Sequence, residues 1–201
     1  MLKPILLSSL LLSSLTSIAL ADDTTAQKPM TSVTQVFSQV VSYQLPAGFL
    51  PAFEDTKDGM YIQEATKDGE SVENWTYLIT LTGRRDLATD AQVKPIHLAN
   101  AMVDQYQPAC PNSFSSKGLG ESTIDGHEAF SAYYSCGTLG EGEKAQSESA
   151  VMIFIKGERD FYTLQYAEHA EASETPIEFD EELWSPRIQE LFPISLIAPA
   201  Q

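Results

Sequence analysis

The segment from residue 74 to residue 82, Asn-Trp-Thr-Tyr-Leu-Ile-Thr-Leu-Thr, constrains the fold of this chain more than any other. Successive side chains of an extended strand point to opposite faces, so this alternation is typical of a half-buried β-strand. The apolar face is predicted to be core, and the hydroxyl groups of the threonine face suit solvent or a wet groove. The apolar face consists of Trp75, Tyr77, Ile79 and Leu81, and the threonine face of Thr76, Leu78, Thr80 and Thr82.

The first 21 residues have the pattern of a secretory signal peptide. Lys3 provides a short basic region, residues 5–20 are mostly apolar, and Ala19-Leu20-Ala21 matches an A-x-A cleavage site. We predict cleavage after Ala21, a flexible leader over residues 22–32 and a single domain over residues 33–201. An uncleaved anchor is the alternative, but serine and threonine dilute the apolar run. The mature chain is therefore expected in a bacterial periplasm or outside the cell, with no stable membrane anchor.

Charge and cysteine content limit the possible partners and the compartment. The chain has 28 acidic and 12 basic residues, a formal net charge of −16. Nucleic-acid binding is not expected, because it requires a basic surface that releases counterions. Cys110 and Cys136 form an even pair, which in an oxidising compartment is most simply a structural disulfide. A redox or metal pair is the alternative, but the spacing does not match C-x-x-C.

Turn signals divide the first part of the chain into an antiparallel meander. Asp58-Gly59 and Asp68-Gly69 are turn sequences, because glycine accepts the positive φ of tight turns. Strands are predicted over residues 40–45 and 60–65, beside the strand at residues 74–82. An apolar cluster at residues 49–53 is predicted to be a loop that is flanked by proline.

The second part is predicted to contain a helix, three strands and a helix. Pro95 suits the first turn of a helix whose apolar stripe contains Leu98, Met102 and Tyr106, and this stripe is expected to pack on the apolar face of the 74–82 strand. Pro108 ends the helix. Residues 113–120 are predicted to be a loop, residues 122–136, 149–156 and 160–166 strands, and the last helix lies within residues 179–196. Tight turns between strands and inserted helices indicate an α+β fold with an antiparallel β-sheet and helices packed on its faces.

This order of elements resembles the Mog1/PsbP-like superfamily over most of residues 36–195. The resemblance is carried by the aromatic strand, the long helix, the Thr-Ile-Asp-Gly-His-Glu-Ala turn at residues 123–129, and the Gly-Glu-Arg-Asp hairpin at residues 157–160. It implies an α/β/α sandwich and a function as an adaptor, assembly or ligand-binding protein without a catalytic site. The disulfide and the acidic C-terminal part depart from the family, so no functional residue is carried over.

Motifs for catalysis or metal binding are not found in the sequence. G-x-S-x-G, H-x-x-x-H and EF-hand spacings are missing, so catalytic, cofactor-binding and metal-binding residues are all predicted to be none. A hydrolase of unrecognised type that uses His127 with a nearby carboxylate is the alternative. The acidic stretch at residues 168–182 could hold a weak Ca²⁺ site, but it is better interpreted as a solvated linker before the last helix.

A candidate ligand face follows from the strand side chains. Where helices do not fully cover the sheet, tyrosine and threonine would line a concave, partly wet surface that suits a small molecule or a peptide. The alternative is that the last helix and the loops cover these side chains. The predicted function is an exported, soluble binding or assembly accessory protein, with a secreted virulence or surface-interaction protein as a further alternative. The candidate ligand face consists of Thr76, Thr80, Thr82, Tyr133 and Tyr134.

Overall fold

The computed structural model describes residues 28–199. The predicted signal peptide and most of the predicted leader lie outside these residues, and residues 30–32 of that leader are part of the first strand. In chain order the strands are β1 (Met30–Val36), β2 (Gln39–Leu45), β3 (Phe49–Lys57), β4 (Met60–Lys67), β5 (Tyr77–Arg84), β6 (Phe114–Ile124), β7 (His127–Leu139), β8 (Gln146–Lys156), β9 (Phe161–Glu171) and β10 (Ser195–Ile197). Helix α1 (Pro95–Tyr106) follows β5, and α2 (Glu181–Gln189) follows β9.

The strands form two antiparallel sheets. The large sheet has the order β3-β4-β5-β9-β8-β7-β6, and the small sheet has the order β1-β2-β10. The described residues therefore have an α+β fold with antiparallel sheets, as the sequence predicts. Asp58 and Gly59 both have positive φ, at 51° and 77°, which matches the hairpin turn predicted between β3 and β4.

The larger of two hydrophobic cores lies between one face of the large sheet and a layer made of the small sheet and α2. We call this face the α2 face. Trp184 of α2 is 2% exposed and packs edge to face against Tyr133 and Tyr166. Ile79 and Leu81 of β5 belong to the same core. A second, smaller core lies on the opposite face, under α1, and we call this face the α1 face.

The prediction that α1 packs on the apolar face of the 74–82 strand is wrong. Ile79 and Leu81 point into the α2 face, whereas Leu78 belongs to the core under α1. Trp75 precedes β5 and also packs under α1. Alternation shows that a strand has two unlike faces, but it does not show which element covers each face.

Two segments predicted to be loops are the edge strands of the large sheet. Residues 49–53 belong to β3 and residues 114–120 to β6. Pro51 is tolerated in β3 because an edge strand leaves half of its N–H groups unpaired, and the register shifts between Pro51 and Phe53. Gly118 and Gly120 flank a similar irregularity in β6. Bulges and turn-forming residues are common at sheet edges, and they hide the strand pattern in the sequence.

The last helix is shorter than predicted. It spans nine residues, Pro186 lies within it, and the chain then forms β10, which the sequence pattern did not indicate. Asp180 caps α2 by accepting hydrogen bonds from the N–H groups of Glu182 and Leu183 at 3.0 and 3.3 Å. Within residues 28–199, no helix is long and apolar enough to cross a membrane.

A candidate ligand groove between helix α1 and the large sheet

Helix α1 covers only half of the α1 face. It packs over β7 and β8 and leaves the neighbouring surface of β4, β5 and β9 uncovered. The result is a groove of about 790 Å³ with the sheet as its floor and α1 as one wall, within the size range of small-molecule sites. Its floor residues are Met60, Ile62, Glu64, Leu78, Thr80, Thr82, Met152, Phe154, Thr163 and Gln165. The wall on α1 consists of His97, Leu98, Ala101, Met102, Gln105 and Tyr106.

The floor consists of ordered rows that cross the sheet. One row runs Ile62, Thr82, Thr163, Phe154 across β4, β5, β9 and β8, and the next runs Glu64, Thr80, Gln165, Met152. Each row becomes apolar where it approaches α1. Phe154 and Met152 are each 1% exposed, whereas Thr82, Thr163 and Gln165 are only partly buried. The groove therefore offers an apolar wall beside a strip of hydroxyl and amide groups.

Small side chains determine where α1 lies. Ala99 on the helix and Ala132, Ala150 and Ala167 on the sheet are all buried in the core beneath it, so the helix backbone can approach β7 and β8 closely. The Tyr134 hydroxyl, which is also buried, donates a hydrogen bond of 2.7 Å to the carbonyl oxygen of Ala99. These contacts fix α1 on one side of the face and leave the other side open.

A disulfide holds the C-terminal end of this arrangement. Cys110, just after α1, is bonded to Cys136 in β7, with their Cα atoms 5.6 Å apart, as the sequence predicts. Two cysteines that approach at this distance suit an ordinary disulfide. The bond ties the segment after α1 to the covered half of the sheet, so the helix cannot slide over the groove at that end.

The charged groups of the groove are unevenly distributed. Glu64 lies on β4, at the side of the floor farthest from α1, and burial together with repulsion from Glu73 raises the pKa of the Glu64 carboxyl. Within residues 28–199, no Lys, Arg or His side chain is close enough to Glu64 for an ion pair. Arg84 and His97 line the groove elsewhere, and both are exposed. The side of the groove on β4 is therefore acidic, and no neighbouring base neutralises it.

An aromatic stack lies at one end of the groove, where Trp75 and Glu148 line it. The rings of Trp75 and His169 lie with their centroids 3.4 Å apart and nearly parallel. His169 Nε2 is 3.1 Å from a carboxylate oxygen of Glu148, and its Nδ1 is 3.2 Å from the carbonyl oxygen of Trp75. Glu148 thus already has a partner, which distinguishes it from Glu64.

The structure brings together two of the five residues of the predicted ligand face. Thr80 and Thr82 lie on the floor of the groove. Thr76 precedes β5, is exposed, and donates a hydrogen bond to Glu70. Tyr134 lies buried beneath α1 and Tyr133 lies on the α2 face. Adjacent residues of a strand point to opposite faces, so Tyr133 and Tyr134 could not have formed one surface.

Several floor residues were missed by sequence reasoning, although a signal for them exists. In β9 the order Tyr162-Thr163-Leu164-Gln165-Tyr166 alternates in the same way as the segment at residues 77–82. Tyr162, Leu164 and Tyr166 belong to the α2-face core, so Thr163 and Gln165 face the groove. The pairing of β9 with β5 joins the two polar strips, and this pairing could not be read from either strand alone.

The ring of His127 contacts the end of β8 and the start of β2. Its Nδ1 is 3.2 Å from the carbonyl oxygen of Lys156, and its Nε2 is 3.5 Å from the amide nitrogen of Gln39. A ring N–H on Nδ1 donates to the carbonyl, so Nε2 faces the amide as an acceptor. Among the described residues, no carboxylate is hydrogen-bonded to His127.

The acidic stretch at residues 168–182 is divided among separate contacts. Glu168 forms an ion pair with Arg187 at 2.6 Å, His169 belongs to the aromatic stack, and Asp180 caps α2. Across residues 28–199, no three His, Cys, Asp or Glu side chains converge in a way that could hold a metal ion.

Comparison with known proteins identifies the fold. No protein-family model matches the sequence, and no curated protein matches it at a significant level. Among solved structures, the cyanobacterial PsbP (CyanoP) of Synechocystis matches with a TM-score of 0.50 and 8% identity, over 94% of this chain and 99% of that one. The described chain thus has a Mog1/PsbP-like fold, as its sequence pattern predicts. At such low identity the similarity concerns the fold alone.

Two further structures match less well. The Ran-binding protein Mog1p of Saccharomyces cerevisiae has a TM-score of 0.41 and 13% identity, with 82% of this chain and 85% of that chain covered. LpqN of Mycobacterium tuberculosis, which is involved in cell envelope biogenesis, also has a TM-score of 0.41, with 10% identity and coverage of 90% and 98%.

Proposed function

We propose that this chain is an exported, non-enzymatic binding protein that holds an elongated, partly apolar ligand in the groove beside α1. The observation that carries the proposal is the uncovered half of the α1 face. Its threonine and glutamine side chains lie next to Met152, Phe154 and the apolar wall of α1, within a volume of about 790 Å³. Ligand sites of this size are typically apolar, with a few polar groups that orient the ligand.

Export is supported by two independent features. The first 21 residues match a signal peptide with a cleavage site at Ala21, and a disulfide joins Cys110 to Cys136. Disulfides persist in oxidising compartments and are rare in the cytosol. We expect the mature protein to begin at Asp22 and to be recovered from the periplasm or the medium. Intact-mass measurement of protein from each cell fraction tests this, and a full-length product in the cytosol would contradict it.

Binding in the groove can be tested with a fluorescent apolar probe. N-phenyl-1-naphthylamine, which brightens in apolar sites, should bind the purified mature protein. Ala101 is exposed and lines the groove, so Ala101→Trp should fill part of it and weaken binding by about tenfold, the effect of roughly 1.4 kcal/mol. Melting temperature should change little, because the new side chain enters open space.

The neighbouring helical residue supplies a matched control. Asn100 is also exposed on α1 but does not line the groove, so Asn100→Trp should bind the probe as the unmodified protein does. Equal probe affinity in all three proteins would place the probe outside the groove and remove the support for the proposal.

A further inference from the structure

The unpaired carboxylate of Glu64 indicates what kind of ligand the groove takes. Glu64 is partly buried on the far side of the polar strip from the apolar wall, and it lies opposite Thr80 in the pairing of β4 with β5. A carboxylate that is partly removed from water is stabilised by a cation or by hydrogen-bond donors. Thr80, its cross-strand neighbour, carries no charge, and no cationic side chain within residues 28–199 pairs with Glu64, so a ligand would have to supply the positive charge.

The other charged groups in and around the groove do not neutralise Glu64. Glu148 is already paired with His169, and the ammonium group of Lys156 donates to the carbonyl oxygens of Asp90 and Val93 at 3.1 and 2.7 Å. Arg84 is four residues along β5 from Thr80, roughly 13 Å at the rise of a strand, and therefore too far to neutralise Glu64.

The apolar residues that line the groove with Glu64 indicate the chemical character of the rest of the ligand. Ile62 is on the same face of β4, and Met152 lies in the same row as Glu64 on the side nearest α1. Leu98 and Met102 form the facing wall. Flexible methionine side chains adapt to aliphatic chains of different shape. An aliphatic body along this wall would place a headgroup over the polar strip.

We propose that the groove binds a cationic amphiphile, with its ammonium group against the Glu64 carboxylate and its aliphatic chain between Met152 and the Leu98–Met102 wall. The formal charge of −16 favours cations over anions at long range, and Glu64 provides the local contact. This inference rests on the proposed function of the groove and adds the chemical class of its ligand.

The test uses three ligands that share one tail, namely decylammonium, decanol and decanoate, each kept below its aggregation concentration. Isothermal titration calorimetry of the mature protein should give the order decylammonium, then decanol, then decanoate. Decylammonium should bind at least about tenfold more tightly than decanoate, the scale of one partly desolvated ion pair.

Two variants separate the local contact from the overall charge. Glu64→Gln should lose about tenfold in affinity for decylammonium and leave decanol unchanged. Glu128→Gln removes the same charge from an exposed position of β7 outside the groove, so it should keep the affinity for decylammonium. Melting curves for both variants test whether they remain folded, and a folded Glu64→Gln protein is expected because this carboxylate has no ion pair within residues 28–199.

The outcomes distinguish this inference from the proposed function. Equal binding of all three ligands, or a preference for decanoate, would overturn the cationic class while leaving an apolar binding groove. A preference for decylammonium that Glu128→Gln reduces as much as Glu64→Gln would also overturn it, because overall charge would explain the result. Failure of all three ligands to bind, together with failure of the naphthylamine probe, would overturn both proposals.

Discussion

The two faces of the large sheet are covered in different ways. The α2 face is closed by the small sheet and α2, and its core contains large aromatic residues such as Tyr133, Tyr166 and Trp184. The α1 face has one helix, which is held over β7 and β8 by small residues, a hydrogen bond and a disulfide. A single helix is too narrow to cover seven strands, since helices are about 10 Å across and strands about 4.8 Å apart. An uncovered strip is therefore a geometric consequence of this architecture, and its side chains determine whether it binds anything.

The prediction with the largest expected effect on stability compares the covered half of the α1 face with its open half, using two residues of one row. Phe154 and Thr163 are cross-strand partners on the α1 face, but Phe154 is 1% exposed and Thr163 is only partly buried. Phe154→Ala should lower the free energy of unfolding by about 3–5 kcal/mol, because it removes a buried ring and leaves a cavity. Thr163→Ala should change it by less than about 1 kcal/mol. Urea denaturation measures both, and similar losses would mean that the two halves are packed alike.

The disulfide should contribute nearly as much to the free energy of unfolding as the Phe154 ring. It closes a loop between residues separated by 26 positions, so replacing both cysteines by alanine should cost about 3–4 kcal/mol on the chain-entropy model. Reduction of the disulfide in the unmodified protein should lower the free energy of unfolding by the same amount. Because the bond holds only the end of α1, amide exchange should increase in α1 more than in the strands of the α2 face. Uniform exchange across the molecule would contradict this localised role.

Substitution of Asp160 tests whether the layer over the α2 face is held by polar as well as aromatic contacts. Its carboxylate is 1% exposed and accepts hydrogen bonds from the Ser38 and Asp86 N–H groups at 3.0 and 2.6 Å, which ties the β1–β2 hairpin to the end of β5. Burial raises the pKa of Asp160, but these hydrogen bonds and those from the Ser38 and Tyr162 hydroxyls more than offset it, so the pKa lies below its ordinary value. Asp160→Asn should cost about 2–3 kcal/mol at pH 7, because a charged acceptor is lost.

The sign of the pH dependence follows from that lowered pKa. The unfolded chain takes up a proton on Asp160 near pH 4, and the folded protein does so only at lower pH. The stabilisation is therefore complete above about pH 4 and is lost as the pH falls through the folded-state pKa. Thermal unfolding of the two proteins from pH 7 to pH 2 should show the difference shrinking below pH 4. A constant difference would show that the charge of Asp160 contributes nothing.

Sequence patterns predicted the fold class, α1 and the disulfide, because each depends on local or compositional signals. Pro95 and the spacing of Leu98, Met102 and Tyr106 define α1 without reference to any other element. The side of the sheet on which α1 lies could not be predicted in this way. It depends on how β7, β8 and β9 pair with one another, and on a small residue in each of these strands, namely Ala132, Ala150 and Ala167.

The groove was only partly predictable for the same reason. Thr80 and Thr82 could be recognised as an unusual polar strip in one strand, but Glu64 comes from β4 and Thr163 from β9. Edge strands such as β3 and β6 carry bulges at Pro51 and Gly118, which erase the alternation that would have identified them. Local patterns therefore show which face of a strand is polar, whereas the assembly of a site from several strands requires their register.

The smallest expected effect tests what fixes α1 at its position. Tyr134→Phe removes the hydroxyl that donates to Ala99 and leaves the packing intact, so it should cost about 1 kcal/mol, the net value of one hydrogen bond. Tyr106→Phe is the matched control, because the Tyr106 ring stacks on Tyr134 at 6.4 Å but its hydroxyl has no hydrogen-bond partner among the described residues. Urea denaturation should show a change below about 0.5 kcal/mol for this control. If the two variants are equally stable, the alanine contacts and the disulfide alone hold α1 away from the open strip, and the hydrogen bond does not determine the width of the groove.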